Sequence, residues 1–179
     1  MAQAGIVAFF DIMGYQNIID NNDIGPVTQI ISGTLKKLPS QVEHSVKLLY
    51  EGEMRTYAEA EIFSHIETRL ISDCLLISGP IADGHPRRMM FCWAFILYVR
   101  QLCYNMFRSG LPVRGAVDCG TFYLDGTCFA GKPIINCYRL AAQLNLSGVV
   151  LTETARGDFG GHNTDIQSLE LQLGNGGDA

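Results

Sequence analysis

The sequence has 179 residues, of which 47% are hydrophobic and 17% are charged, and its formal net charge is −5. This composition indicates one globular domain with a substantial core and excludes a largely disordered chain. The acidic balance and the lack of a Lys/Arg run argue against general duplex binding. A bound cation would still let an acidic protein hold a nucleotide.

The six cysteines form no CxxC pair, and several of them lie inside apolar stretches. Such cysteines are typical of reduced, buried thiols, so we expect a cytoplasmic protein. The start of the chain lacks a basic segment followed by a long apolar core, so no signal peptide is predicted. The apolar stretch 89–99 is too short to span a bilayer and is flanked by charges, which favours a core helix over a membrane helix.

The elements begin with an apolar, aromatic run at 5–12, which predicts a buried strand ending at Asp11. Gly14 permits a tight turn after it, and a helix is predicted from about Pro26 to Leu38, which Pro39 should end or kink. Residues 41–57 are ambiguous and allow another helical segment. The later elements are two strands within 61–81 with a turn at Ser72–Asp73, a helix at 85–109, a strand at 112–124 with a turn signal at Asp125–Gly126, a helix at 131–145 and a strand at 148–155.

This order of elements predicts an α+β fold with a mostly antiparallel sheet and helices on one face. The other face of the sheet would then need a ligand or a second subunit to cover it. We expect a single domain at 1–156 and a tail at 157–179 that is rich in Gly and Asn and partly disordered.

Two aspartates interrupt apolar strand patterns, and an unpaired carboxylate is costly to bury. If the strand ending at Asp11 pairs beside the 61–81 hairpin, Asp11 and Asp73 meet at one edge of the sheet. Their repulsion would be relieved by Mg²⁺ or Mn²⁺. The backbone N–H groups at Ile12–Tyr15 would form a phosphate cradle. The alternative is that Asp11 caps the next helix and Asp73 only forms a turn.

Four motifs in this sequence resemble those of class III nucleotide cyclases. "FFDIMGY" resembles F-x-D-I-x-G-F, and "RLISD" resembles K-x-x-G-D at the tip of a strand hairpin. "VRGAVDCG" at 113–120 resembles V-R-x-G-I-H-x-G, and "GKPIINCYRLAAQL" resembles the helix G-x-x-V-N-x-A-A-R-L. Each motif is weak alone, but the four occur in the family's order and cover about residues 5 to 152.

The resemblance implies a ferredoxin-like catalytic domain that works as a head-to-tail homodimer with composite active sites. It implies that Asp11, Ile12 and Asp73 contribute to a site for two divalent cations, Mn²⁺ or Mg²⁺. The ribose 3′-hydroxyl of a nucleoside triphosphate would attack the α-phosphate there, releasing pyrophosphate. The partner subunit would supply the residues that read the base and stabilise the transition state.

Further site residues follow from the same alignment. Ile12, Met13, Gly14 and Tyr15 are expected to bind the triphosphate, and Arg139 falls at the position of the family's transition-state arginine. Ile135 occupies the position of the family's asparagine, and Asn136 is the replacement expected to act in catalysis. A shift of one residue turns a helical side chain by about 100°.

The base-reading positions depart from those of adenylate cyclases. Arg69 occupies the lysine position, and Cys128 stands where those enzymes have Asp or Thr. In addition, Ser72 replaces the glycine before the second aspartate, and Asp118 replaces a histidine. Since Arg69 offers only donors, it suits the carbonyl oxygens of a pyrimidine or guanine.

Small cyclases with divergent pockets of this kind resemble the pyrimidine cyclases of bacterial anti-phage systems. That resemblance implies cyclic UMP or cyclic CMP as the product, sensed by a separately encoded effector. UTP is the favoured substrate because the donor-only Arg69 can meet uracil O4 or O2, whereas cytosine would also present an N4 amino donor to it. Neither a nucleic-acid nor a membrane partner is expected. The open alternatives are a cytidylate cyclase that makes cyclic CMP and a catalytically inactive, cyclase-like module that binds a nucleotide. A polymerase-type palm domain is disfavoured because the short acidic chain shows no template-binding surface.

Overall fold

The computed structural model describes residues 1–49, 65–125 and 128–159 of the chain. The strands are β1 (Ala2–Ile12), β2 (Glu67–Ile71), β3 (Cys74–Pro80), β4 (Val113–Leu124), β5 (Phe129–Gly131) and β6 (Gly148–Leu151). The helices are α1 (Tyr15–Asn21), α2 (Ile24–Leu49), α3 (Arg88–Arg108), α4 (Lys132–Gln143) and α5 (Glu153–Phe159). The turn residue Gly126, the start of the predicted 61–81 hairpin, the second part of 41–57 and most of the predicted tail lie outside the described residues.

The strands form one mixed sheet in the order β2–β3–β1–β4–β5, and all of these neighbours are antiparallel. Strands β5 and β6 both pair with the same edge of β4. Strand β6 is parallel to the first half of β4, and β5 is antiparallel to its end. The prediction that the first strand pairs beside the hairpin is confirmed, because β1 lies next to β3 with Asp11 opposite Cys74.

The alternation of side chains along each strand gives the sheet two differently covered faces. On the α2/α3 face, buried side chains such as Phe10, Ile77 and Phe95 form the larger apolar core. On the α4 face, Val7 and Ala116 pack with Cys137 of α4 in a smaller core. The prediction of helices on one face only is therefore wrong, since the amphipathic helix α4 buries its apolar side on the second face.

Helix α2 continues through Pro39 to Leu49, so Pro39 does not end it. A proline removes one helical hydrogen bond, which costs on the order of 3 kcal/mol inside a helix. Packing offsets that cost, because Leu38 and Val42 on either side of the proline are fully buried. Asn105 of α3 also donates to Gln41 Oε1 at 2.6 Å, just beyond the proline.

The strand predicted at 148–155 is shorter, and a helix replaces its second half. Thr152 begins α5 by accepting the Ala155 N–H at its hydroxyl, 3.2 Å away, and the Arg156 N–H at its carbonyl. Phe159 at the end of α5 is buried and makes an edge-on ring contact with Trp93 of α3. Helix α1 and strand β5 were not predicted, because both are too short to show a clear hydrophobic period.

The apolar stretch 89–99 lies in α3, whose buried side faces the sheet, so the prediction of a core helix is confirmed. Among the helices that the structure describes, none is both long and apolar enough to cross a membrane.

Candidate metal and nucleotide site

The ends of β1 and of the β2–β3 hairpin bring two carboxylates together. Asp11 stands next to last in β1, and Asp73 lies in the turn that enters β3. The Ile12 N–H donates to the Asp73 carbonyl at 2.9 Å, which ties the hairpin turn to the end of β1. The predicted meeting of Asp11 and Asp73 is confirmed, and it follows from the antiparallel pairing of β1 with β3.

The hairpin turn contains a strained residue. Ser72 has φ +57°, and it is the only non-glycine residue with a positive φ in the part of the chain described. It occupies the position where the cyclase motif has glycine, which adopts this conformation without strain. Such strain costs on the order of 1–3 kcal/mol and persists where the surrounding structure fixes the backbone, often at functional sites.

One ligand atom each from Asp11, Asp73 and Cys74 lies within 4.8 Å of the others. Burial, followed by a hydrogen bond to Asp73 and the charges of Asp73 and Asp11, raises the pKa of the Cys74 thiol to about 12. The neutral thiol lies 3.4 Å from Asp73 Oδ1, to which it donates. The hard carboxylate oxygens are therefore the groups suited to a divalent cation such as Mg²⁺ or Mn²⁺, and the residues present fit such a site.

Arg114 of β4 is a neighbour of this site that sequence reasoning missed. Its Nε donates to Asp11 Oδ2 at 2.8 Å, and its Nη1 donates to the Leu144 carbonyl just after α4 at 2.9 Å. The pairing of β1 with β4 places Arg114 directly opposite Asp11. An arginine at the second position of a largely buried strand could have indicated a carboxylate partner. Arg114 thereby fixes one oxygen of Asp11 and links the carboxylate pair to the end of α4.

The turn after β1, the predicted phosphate cradle, has two backbone N–H groups that are already bonded within the protein. The Ile12 N–H is bonded to Asp73, and the Met13 N–H donates to the Pro112 carbonyl at 2.8 Å. Gly14 adopts the left-handed conformation with φ 70° immediately before α1. Any contribution of the backbone N–H groups to phosphate binding is thus confined to Gly14 and Tyr15, because those of Ile12 and Met13 already have acceptors.

Arg69 and Cys128, the two predicted base-reading residues, lie close together. Arg69 Nη1 donates to the Asp125 carbonyl at 2.6 Å, and the Cys128 N–H donates to Asp125 Oδ1 at 2.9 Å. Arg69 Nη2 also pairs with Glu67, two residues earlier in β2, at 3.1 Å. The end of β4 therefore lies against β2, although β3 and β1 separate these strands in the sheet. The sequence suggested a turn at Asp125 but no role for Glu67.

Helix α4 carries the two predicted catalytic side chains, both at exposed positions. Arg139 is exposed, and it has no hydrogen-bond or ion-pair partner among the described residues. Asn136 donates to Asp118 Oδ2 at 2.9 Å. Asp118 is fully buried, and its other carboxylate oxygen accepts from the Cys119 N–H and the Thr152 hydroxyl. These donors satisfy the buried carboxylate at the position of the cyclase histidine.

Comparison with known proteins supplies the fold family. No protein-family profile matches the chain, and no curated protein is significantly similar to it. Among solved structures, the monomeric guanylyl cyclase domain of the RhoGC fusion protein from the aquatic fungus Blastocladiella emersonii is similar. It has 12% identity and a TM-score of 0.56, over 88% of this chain and 85% of that chain.

The catalytic core of a rhodopsin-guanylyl cyclase with converted specificity, in complex with ATPαS, is also similar. It has 11% identity and a TM-score of 0.53, over 90% of this chain and 83% of that chain. The chain has the fold of a class III nucleotide cyclase catalytic domain. The predicted fold class is thereby confirmed. At these identities the likeness establishes the fold, and the reaction has to be argued from the site.

Within this fold, residues of the four sequence motifs lie on neighbouring strands and on the helix packed against them. Asp11, Cys74 and Arg114 lie side by side on β1, β3 and β4, because paired residues of neighbouring strands share a face. The ring of Tyr138 on α4 meets Phe9, two residues before Asp11, edge-on with 5.5 Å between centroids. The helix with Arg139 is therefore packed directly beside the strand that carries Asp11.

Proposed function

We propose that the chain is a pyrimidine nucleotide cyclase that converts UTP to 3′,5′-cyclic UMP and pyrophosphate. In this reaction the ribose 3′-hydroxyl attacks the α-phosphorus and pyrophosphate leaves. The observation that carries the proposal is the pair of carboxylates, Asp11 and Asp73, held together on a cyclase fold. Two divalent cations, Mn²⁺ or Mg²⁺, would activate the hydroxyl and neutralise the triphosphate there.

The chain's own residues take the remaining roles. Asp11 and Asp73 hold the cations, together with the backbone of Ile12, while Arg114 orients Asp11. Gly14 and Tyr15 bind phosphate oxygens with their N–H groups. Arg139 pairs with the α-phosphate as charge develops on it, and Asn136 orients the ribose. Arg69 and Cys128 contact the base.

We place these roles in a homodimer with composite sites. Arg139 is exposed and unpartnered within the described residues, as a group that acts on a neighbouring subunit's substrate would be. Ile71 of β2 and Tyr138 of α4, both associated with the α4 face, are 47% and 57% exposed, and Ile135 is also exposed. Exposed apolar side chains are buried when they lie in a protein interface, so these residues are candidates for the dimer contact.

Two alternatives are tested together with the uridylate cyclase. A cytidylate cyclase also fits the Glu67–Arg69 pair, since cytosine would donate its N4 amino group to the carboxylate while N3 accepts from arginine. Uracil fits the same pair with N3–H as donor and O4 or O2 as acceptor. An inactive nucleotide-binding module is favoured by Asn136, whose amide is bonded to Asp118.

The biological role follows from the resemblance to anti-phage pyrimidine cyclases. We propose that cyclic UMP acts in the cytoplasm as a second messenger in antiviral defence. A separately encoded effector would bind the messenger, and the proposal requires neither nucleic acid nor a membrane.

The proposal predicts cyclic UMP as the main product when each of the four nucleoside triphosphates is incubated with the protein and Mn²⁺. Chromatography with mass spectrometry identifies the products, and the Asp73→Ala protein, purified in the same way, controls for contaminating cyclases. Cyclic CMP as the main product would establish the cytidylate alternative. If only cyclic AMP appears, the pyrimidine assignment is wrong. Binding without any product supports the inactive module.

Arg139→Ala is expected to lower kcat by about 10²-fold or more, because the guanidinium stabilises charge that develops only in the transition state. KM should change much less. Gln143→Ala, at another exposed position of α4, is the matched control and should keep wild-type kinetics. Steady-state rates with the preferred triphosphate provide the measurement. A drop in kcat of equal size in both variants would mean that α4 itself was disturbed, and the role of Arg139 would be lost.

A further inference from the structure

We propose that Asp125 is a positioning residue that sets the choice of nucleobase by holding Arg69 and Cys128 as one unit. The sequence resemblance assigns no role to this position. The inference deepens the proposed function and rests on it, because Arg69 and Cys128 are its base-contact residues.

Asp125 bonds to both base-contact residues. Its backbone carbonyl accepts from Arg69 Nη1 at 2.6 Å. Its Oδ1 accepts from the Cys128 N–H at 2.9 Å, and its own N–H donates to the Cys128 carbonyl at 2.9 Å. One residue therefore fixes an arginine that is 56 positions away in sequence and a cysteine three positions away.

Arg69 is held from a second direction as well. Glu67 accepts from Arg69 Nη2 at 3.1 Å, so the two terminal nitrogens of the guanidinium contact different elements, β2 and the end of β4. The side chain of Arg69 is only 25% exposed. A planar guanidinium fixed at both terminal nitrogens presents its donors in one direction, which is the condition for telling one polar base edge from another.

Tyr123 anchors the Asp125 carboxylate to the sheet. The Tyr123 hydroxyl donates to Asp125 Oδ2, and Tyr123 pairs with Ala2 of β1 through the ladder of the sheet. The hydrogen bond to Asp125, followed by the charge of that carboxylate, raises the pKa of Tyr123, so the phenol stays protonated and keeps donating. The side chain of Asp125 is thus fixed between a strand residue and the backbone of Cys128.

Selection depends on this geometry because a site built to hydrogen-bond a base rejects the wrong one by leaving polar groups unpaired. That penalty requires donors that cannot turn to suit another base. Without the Asp125 carboxylate, the Cys128 N–H loses its acceptor Oδ1. Residue 125, which directly follows β4, also loses its hydrogen bond with the Tyr123 hydroxyl. Arg69 would then still pair with Glu67, but the backbone carbonyl that holds its other terminal nitrogen would be less firmly held.

The test compares Asp125→Ala with Asp125→Asn in the full chain. The kcat/KM ratio between the preferred and the next-best triphosphate should fall by about 10-fold or more in Asp125→Ala. Asp125→Asn keeps an oxygen that can accept from Cys128, so it should retain most of the ratio. Tyr123→Phe removes the anchor and should lower the ratio by an intermediate amount. If Asp125→Ala fails to fold, the kcat/KM ratio of Tyr123→Phe tests the proposal in its place. Asp20→Ala, an exposed carboxylate on α1, is the control.

Calorimetric titration with each triphosphate and Ca²⁺ gives a Kd ratio that does not depend on turnover. Unchanged kcat/KM and Kd ratios in Asp125→Ala and Tyr123→Phe would overturn this inference and leave the proposed cyclase activity standing. A shifted Kd ratio in a protein that makes no product would support this inference and overturn the proposed activity. If the wild-type protein binds none of the four triphosphates, the inference is overturned together with the proposed function.

Discussion

Asp73→Ala is expected to lower nucleotide turnover by on the order of 10³-fold or more while the protein stays folded. The side chain supplies one of the two carboxylates of the cation site, and a single carboxylate holds a divalent cation poorly. The substitution leaves the Asp73 carbonyl in place, so its hydrogen bond with Ile12 and the shape of the hairpin turn persist. Product formation with Mn²⁺, followed by chromatography, measures the loss.

The matched control is Asp20→Ala, which removes an exposed carboxylate from α1 and should keep wild-type turnover. Binding of Mn²⁺, measured by electron paramagnetic resonance, should weaken in Asp73→Ala and stay unchanged in the control. This second measurement applies even to a chain that makes no cyclic nucleotide. Turnover at the wild-type rate in Asp73→Ala would show that the carboxylate pair is not the cation site.

Gly115→Ala is expected to destabilise the protein by about 3 kcal/mol, which corresponds to a fall in Tm of roughly 6–12 °C for a chain of this size. A Cβ at this position would lie 2.2 Å from Phe10 Cδ1 and 2.5 Å from the Phe9 carbonyl oxygen. Phe10 is fully buried and the carbonyl belongs to the strand backbone, so neither can move aside without separating β1 from β4. Thermal unfolding followed by circular dichroism measures the change.

The same shift would disturb the carboxylate site, because Gly115 follows Arg114 in the strand that pairs with Asp11. We therefore expect turnover to fall together with stability. Gly33→Ala is the matched control, since a Cβ there meets no atom within 4 Å and Gly33 lies inside α2. Its greater helix propensity should raise stability by about 0.5–1 kcal/mol. Equal shifts in Tm for the two variants would contradict this account of the close packing.

The carboxylate site was predictable to a large extent because each of its parts has a local cause. An apolar run that stops at Asp11 predicts a strand end, and the strand pattern on both sides of Ser72–Asp73 predicts a hairpin turn. Bringing the two aspartates together needed only the assumption that the first strand pairs beside the hairpin, and the structure confirms that pairing. The roles of the remaining site residues stay predictions.

The hydrogen-bonding partners of the site residues could not be predicted in the same way. Arg114 is 103 positions from Asp11 in the sequence, and it lies opposite Asp11 only because β4 pairs with β1. Likewise, Asn136 contacts Asp118 because α4 packs back onto β4, with β5 between them in the chain. Such contacts depend on distances between remote segments that no local pattern encodes.

The sequence by itself determined the fold class, most of the helices and strands, and the position of the two aspartates, because hydrophobic period and turn chemistry act over a few residues. Only the tertiary structure decided that α2 continues through Pro39, that α4 covers the second face of the sheet and that Arg69 meets Asp125. These outcomes depend on burial and hydrogen bonds between distant segments, whose free energies exceed the local preferences of the chain.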